Sequence, residues 1–402
     1  MAIQPFDVRS KAPTHVVIEM FGGDNNLSAF VDEDLEEARR GINGDFALLG
    51  LADRADGAAH VVEVSGRQRT TVADLGEIDT GDPRVLAEFL ARALVTYAEA
   101  PHVALGFWDH GTGVFDEKDD AEVILRRRPL SARRAGRLLR PKRLENRRAM
   151  LHDDTGGLLT TREAGAMLDY AFDVAGRDRA VEIVFSDTCL NGMLEVTHEL
   201  GRRTEIVVAS EELEPGDGWD YYQLFRKMTE QPPKSADEWA TQMVKAFERG
   251  YLDRPDQHPC TLAAFRTTSG MVDAFAALVG ALQRVGRAAF REALEARMNA
   301  QTFTGIDRYA TVDLRHFASV LAAVTEHVEV KAACDAVIAS VEGARVADIH
   351  LGSSVQDASG IAFWFPSNRL EFASDRGTYE KLDCADKTGW TKYLEAMLTR
   401  RE

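Results

Sequence analysis

The sequence predicts an α/β fold: a mainly parallel sheet flanked by helices, with a largely helical C-terminal region packed on it. Three observations lead there. Short apolar runs rich in Val, Ile and Phe recur through the first half of the chain. Most are apolar throughout rather than alternating, the pattern of strands buried on both faces. Segments of helical periodicity fall between them, and strands alternating with helices build layered α/β architectures.

In chain order, "HVVIEMF" (15–21) reads as the first strand, followed by a helical pattern over 27–40. "FALLGL" (46–51) and "HVVEV" (60–64) are the next two strands. A helix over 83–99 opens on Asp82 as N-cap and Pro83 as first residue, where the missing proline N–H costs nothing. "HVALGFW" (102–108) is a strand, 161–175 a helix, "VEIVF" (181–185) a strand, and 190–200 a helix stopped by Gly201. "EIVVA" (205–209) is the last strand of this series. After about residue 270 the texture becomes helical, over 270–298, 311–327 and 329–342, with a late strand "IAFWF" (361–365) and a final helix over 387–399. The expected organisation is a core over 1–270, interrupted by an insertion at about 115–150, and a helical region over 271–402.

Charge and cysteine usage narrow the function classes. A net charge of -17 repels phosphates and argues against a nucleic-acid partner. The cysteines, Cys189, Cys260, Cys334 and Cys384, are widely spaced with no CxxC pair, so neither a zinc site nor a disulfide framework is expected. No apolar run approaches the ~18 residues of a membrane span, so no membrane partner is expected. The opening "MAIQPFDVRSKAPTH" lacks the apolar core of a signal peptide. A reducing, cytoplasmic setting is the expectation, in which a lone cysteine remains a thiol.

One segment breaks the acidic pattern. Arg126–Arg148 reads "RRRPLSARRAGRLLRPKRLENRR", shortly after the acidic "DEKDDAE" (116–122). It holds Arg126, Arg127, Arg128, Arg133, Arg134, Arg137, Arg140, Arg143, Arg147 and Arg148 between two core strands, where a short connection would suffice. Runs of like charge are ordinarily solvated, and a long insertion inside a domain is functional or disordered.

Two strands end in reactive residues. "HVALGFW" runs into Asp109-His110-Gly111-Thr112-Gly113, and "VEIVF" into Ser186-Asp187-Thr188-Cys189. Sites in open parallel sheets form beyond the carboxyl ends of the strands. Were these strands neighbours, His110 and Cys189 would face each other. An imidazole beside a thiol helps form the thiolate and later protonates a leaving amine. A helix starting after Cys189 would favour a negative sulfur. Gly111 would let backbone approach a substrate and aim an N–H at an oxyanion. Read one at a time, a buried cysteine is an inert small hydrophobe and a strand-end histidine is structural.

Together these pieces resemble the clostripain family of cysteine peptidases, whose core is caspase-like. "VVIEMFGGDNNLSAFVDEDLEEA" (16–38), "GDPRVLAEFL" (81–90), "WDHGTG" (108–113), "SDTCLNGMLEVTHEL" (186–200), "ASEELEPGDGWDY" (209–221), "DASGIAFWFP" (357–366) and "TGW" (388–390) occur in the family's order. The resemblance implies a cysteine endopeptidase with Cys189 as nucleophile, His110 as general base and acid, and the Gly111 and Cys189 N–H groups as oxyanion donors. Two departures stand out. Thr112 and Val114 replace the usual glycine and tryptophan after the histidine, and Asp-Thr-Cys-Leu-Asn (187–191) replaces Asp-Ala-Cys-Leu-Met.

Asp187 has two readings. It caps the helix expected at 190–200, or it lines the S1 pocket and pairs with a basic P1 side chain, arginine fitting best through its planar fork. The resemblance favours the pocket, with Asp217, Trp219 and Asp220 as further walls, although Pro215, Gly216 and Gly218 also mark ordinary turn chemistry. The expected partners are protein or peptide substrates with Arg, or Lys, at P1. The Arg-rich run then becomes an activation loop, cut within 126–148 by the enzyme itself or by an upstream protease; the plainer reading is a basic loop docking an acidic surface. Some prokaryotic relatives act in antiviral or cell-death cascades, a role that fits a cytoplasmic setting. Family members that respond to calcium draw attention to "HDDTGG" (152–157) and "EEARRGINGD" (36–45), but neither matches an EF-hand and no metal or other cofactor is expected. The rival readings are a catalytically silent caspase-like scaffold and a small-molecule amidase.

Overall fold

All seven residues of strand β1 (His15–Phe21) are buried, as a run apolar on both faces requires. The computed structural model describes residues 3–55, 57–115, 150–154, 156–268, 270–303 and 310–398. The Arg-rich stretch 126–148, with the activation cleavage expected there, lies outside the described residues.

The other strands follow in order: β2 (Phe46–Ala52), β3 (Ala59–Ser65), β4 (Gln68–Gly76), β5 (His102–Trp108), β6 (Leu151–His152), β7 (Leu158–Leu159), β8 (Val181–Asp187), β9 (Thr204–Ala209), β10 (Cys260–Arg266), β11 (Thr311–Asp313), β12 (Arg345–Leu351) and β13 (Ala362–Trp364). Nine of them form one sheet, ordered β12-β10-β9-β8-β5-β1-β2-β3-β4. The five central strands are parallel. Antiparallel strands extend both edges.

Helices cover both faces. Ser28–Gly41, Tyr221–Glu230 and Ala236–Tyr251 pack on one. Pro83–Thr96, Thr161–Ala175, Leu194–Leu200 and helices beyond residue 271 cover the other. Local signals set their ends. The Asp82 carboxylate accepts the Arg84 N–H ahead of Pro83. Thr160 and Glu163 form a reciprocal capping box, and Gly176, at φ 64°, closes that helix.

The sequence misses three strands of the sheet. β4 is a polar edge strand and β12 a half-exposed one; β10, "CTLAAFR", has alanines that carry little strand preference. The pattern over 270–298 is two helices, Met271–Val285 and Arg287–Asn299, broken at Gly286 with φ 70°. Residues 311–313 of the helix expected at 311–327 form β11, which pairs with β13. The helix expected from 190 begins at Leu194.

The residues after 271 are woven into this core. β12 adds an edge strand to the sheet. Trp390 is fully buried, donates its indole N–H to the Trp364 carbonyl at 2.6 Å and meets Phe365 edge to face. The ribbon β11–β13 reaches the end of β8: the Ala362 N–H donates to the Gly192 carbonyl at 2.8 Å.

Candidate active site

β5 and β8 are parallel neighbours, with Trp108 opposite Asp187 at the carboxyl end. The Asp109 N–H still reaches the Asp187 carbonyl, at 3.4 Å. Continuing one step brings His110 and Cys189 to the same sheet edge. The approach is close: a Cβ on Gly111 would lie 2.2 Å from the Cys189 carbonyl oxygen and 2.5 Å from Thr188 Oγ1. Glycine is required here because the two loops touch, a reason the sequence does not disclose.

His110 is anchored at both ends. Its backbone N–H donates to Asp109 Oδ1 at 2.5 Å. Asp109 also accepts the His152 N–H and, at 2.8 Å, the Asn25 side-chain amide. At the imidazole, Nε2 lies 2.7 Å from Asn26 Oδ1. Burial, helped by the neighbouring His152, pushes the ring down to about 4, so it is neutral at physiological pH.

Cys189 sits on a tight irregular turn, not on a helix. Leu190 adopts φ 62°, the left-handed region that a branched side chain occupies only under constraint. The constraint is visible: the Leu190 N–H donates to Glu212 O at 3.3 Å and the Gly192 N–H to Ser210 O at 2.7 Å. Since the helix starts only at Leu194, its dipole does not act on the sulfur from the first turn, and Asp187 does not cap it. Asn191, fully buried, fills the gap between the two loops. Its side-chain N–H groups donate to Ser186 Oγ at 2.9 Å and to Thr188 Oγ1, and its Oδ1 accepts the Gly113 N–H at 3.1 Å.

Behind the thiol lies an enclosed set of acids. The Glu214 N–H donates to Cys189 Sγ at 3.2 Å, and the Glu214 carboxylate accepts the Trp219 indole N–H at 3.0 Å. Asp187, only 6% exposed, lies beside Glu214, the Tyr221 hydroxyl and the Trp219 backbone N–H. Among the described residues, no hydrogen-bond donor reaches Asp187 Oδ2 or Glu214 Oε1. Glu19 accepts the Tyr221 hydroxyl at 2.5 Å, and Asp34 accepts the Trp108 indole at 2.8 Å. Burial raises Asp187 to about 6, Glu214 beside it drawing it back down, and burial together with the Asp187 charge lifts Glu214 well above the usual carboxylate range. Two facing carboxyls cannot both ionise in such a place, so the pair shares one proton. Burial first, then the Glu214 carboxylate, pushes the Cys189 thiol up to about 12.

Of the residues read as pocket walls, Asp187 and Trp219 come together. Asp217 lies on the exposed turn, and Asp220 caps the helix Tyr221–Glu230 by accepting the Gln223 N–H at 2.8 Å. Sequence reasoning missed Glu214 and Asn26. Glu214 stands in the quoted loop "EELEPGDGW", where its place against Cys189 depends on β9 lying beside β8. Asn26 depends on β1 lying beside β5. Among the described residues, no group of His, Cys, Asp and Glu is arranged to hold a metal ion. The acids of the two stretches weighed for calcium include Asp153, whose Oδ2 accepts the Thr80 N–H at 3.0 Å.

Residues 20–126 and 136–395 match the profile of the clostripain family, Peptidase_C11. The chain belongs to the clostripain family. It is therefore a member of a cysteine protease family, on the caspase-like fold that the resemblance implies. Among solved structures, a secreted C11 cysteine protease from Bacteroides thetaiotaomicron, in complex with an irreversible peptide inhibitor, superposes with a TM-score of 0.67 at 15% identity, over 94% of this chain and 99% of that one. An inactive zymogen C11 protease from Parabacteroides distasonis gives 0.66 at 16% identity, over 94% and 98%. No curated protein matches the sequence significantly. Among clostripain-family motifs, the Thr188 and Asn191 departures are the ones that interlock here.

Proposed function

We propose that this chain is an endopeptidase cutting after arginine, with lysine as second choice, through Cys189 and His110. The observation that carries this is the enclosed Asp187–Glu214 pair directly behind the thiol, with two buried carboxylate oxygens that no donor among the described residues reaches. A guanidinium has the planar fork to meet both carboxyls once their shared proton leaves.

The chemistry follows. His110 takes the thiol proton as Sγ adds to the scissile carbonyl carbon, and the Gly111 and Cys189 N–H groups receive the oxyanion. The C–N bond breaks as the imidazolium protonates the departing amine. Water, deprotonated by His110, then cleaves the thioester and returns the thiol. A resting thiol near 12 and imidazole near 4 keep the dyad neutral until substrate binds. The enclosure of Asp187 means that the Glu214 loop must shift to admit a P1 side chain, which fits a precursor state. Cleavage within Arg126–Arg148 is the activation step of this reading, by the enzyme itself or by a second protease.

The test uses wild type and Cys189→Ala, incubated with peptides bearing Arg, Lys, Leu or Asp at P1, before and after a trace of trypsin. The expected result is turnover of Arg and Lys peptides by wild type alone, with new N-termini inside 126–148. Turnover that survives Cys189→Ala, or silence under both conditions, sinks the proposal and leaves the binding scaffold.

A further inference from the structure

We infer that Asn26 is a positioning residue of the active site: its side-chain oxygen accepts the Nε2 hydrogen of His110 and leaves Nδ1 as the nitrogen that takes the Cys189 proton. The inference rests on the Cys189–His110 reading above.

The geometry comes first. His110 Nε2 and Asn26 Oδ1 are 2.7 Å apart, a short N–H···O distance. An amide oxygen can only accept, so Nε2 carries the hydrogen; a neutral imidazole has one hydrogen, and Nδ1 is then the free base. A histidine without such a partner divides between tautomers and rotates about its side-chain bonds. One fixed at the far nitrogen keeps both tautomer and orientation.

The fold supplies the rigidity such a role needs. β1 and β5 are parallel neighbours, with Phe21 opposite Trp108, so the loop after β1 lies over the loop carrying His110. The Gly22 N–H donates to the Trp108 carbonyl at 3.0 Å. The preceding asparagine staples the loop: Asn25 Nδ2 reaches Gly22 O at 2.9 Å, Asp109 Oδ1 at 2.8 Å and His152 O at 3.0 Å, and Asn25 Oδ1 accepts the Leu27 N–H at 2.8 Å. Asn25 is thus spent on backbone and on Asp109, while Asn26 is aimed at the ring. The two adjacent asparagines divide the work.

The residue type fits as well. Among the described residues, the titratable group that acts on this ring from another element is His152, while the adjacent buried Asp109 holds the His110 backbone N–H. An amide orients the imidazole without adding charge, so the dyad stays neutral at rest. A carboxylate at the same place would keep the acceptor but favour the imidazolium, raising the pH at which the ring becomes a base.

The experiment reads Cys189 directly. Cys260, Cys334 and Cys384 are fully buried, so iodoacetamide reports on Cys189, followed by intact mass from pH 5 to 10 on wild type, Asn26→Ala, Asn26→Asp and His110→Ala. Turnover of an Arg-P1 peptide by activated enzyme is measured alongside, with melting temperatures. Asn26→Ala is expected to slow alkylation at pH 7 about 10- to 100-fold and to lower kcat by a like factor with KM unchanged, as loss of an oriented general base does. Asn26→Asp, which keeps the acceptor, is expected to retain alkylation at pH 7 and to shift its midpoint downward, while moving the acidic limb of kcat upward. Equal losses in Asn26→Ala and Asn26→Asp, or wild-type rates in Asn26→Ala, overturn the inference. Should Asn26→Ala not fold, the direction of the Asn26→Asp midpoint decides alone. His110→Ala separates the two levels: if it alkylates like wild type, the dyad itself is wrong; if it is slow while Asn26→Ala is not, only the Asn26 role falls.

Discussion

Asn191 donates a hydrogen bond to Thr188, and these are the two residues at which the nucleophile motif departs from the family's usual alanine and methionine. Both are buried, and Asn191 also holds Ser186 and the Gly113 N–H. The two side chains therefore act as one unit, a polar bridge between the His110 and Cys189 loops.

That coupling predicts a non-additive pair. Asn191→Met strands the Gly113 N–H, while the Ser186 and Thr188 hydroxyls keep each other at 2.7 Å, and is expected to cost about 1–3 kcal/mol. Thr188→Ala alone also breaks the Asn191–Thr188 bond, which is already lost once Asn191 is replaced, so the double variant is expected to cost less than the sum of the two single variants. Urea unfolding of the two single variants and the double variant measures this. Simple addition of the single effects would show the bridge to be incidental.

The acid pair predicts how substrate binding depends on pH. With Asp187 raised to about 6, the pair holds its proton at low pH, and a P1 guanidinium must displace it. The KM of an Arg peptide is expected to fall as pH rises from 5 to 7 and then level. The sign follows because the carboxylate is the form that binds a cation. Asp187→Asn removes the dependence and raises KM, by about 2–5 kcal/mol of lost pairing. A KM flat across this range in wild type argues against the shared proton.

The same carboxylates hold the Cys189 thiol up, after burial itself. A cation seated on them relieves that field and favours the thiolate. Butylguanidine, which mimics the arginine tip, is accordingly expected to accelerate iodoacetamide labelling of Cys189 at pH 7 in the activated enzyme, several-fold. Glu214→Gln is expected to weaken the acceleration. Inhibition of labelling by butylguanidine in wild type, without any acceleration, would place the cation over the sulfur rather than behind it.

Trp390 links the far end of the chain to the site. Its ring packs on Phe363 and Phe365, flanking the ribbon whose Ala362 N–H pins Gly192. Trp390→Ala is expected to destabilise the protein by about 3–5 kcal/mol through the cavity it leaves. It is also expected to lower Cys189 labelling, since the turn loses its backing. Calorimetry and labelling kinetics check both; normal labelling at wild-type Tm would mean the ribbon stands without it.

The central sheet was legible because its strands are buried on both faces and therefore apolar throughout. "HVALGFW" and "VEIVF" could be nothing else at that length, and the reactive residues follow each directly. β4 and β12 were not legible, because an edge strand needs no continuous apolar face. The helix start at Leu194 was missed because the turn signal Asn191-Gly192 was read as part of the helical pattern, while the backbone there is bent by hydrogen bonds to Ser210, Glu212 and Ala362. Those partners are distant in sequence and carry no local signal.

By itself, then, the sequence determined six of the nine strands of the sheet, the cap at Asp82, and the pairing of a His-Gly with an Asp-x-Cys at strand ends, since these depend on local periodicity and residue chemistry. Only the tertiary structure decided which side chains surround them. Strand order put Asn26 on His110 and Glu214 on Cys189 and Asp187, and sent Asp220 to a helix cap instead. Proton sharing, tautomer and thiol acidity depend on burial and on contacts of a few ångströms between segments far apart in the chain, and such contacts exist only once the sheet has formed.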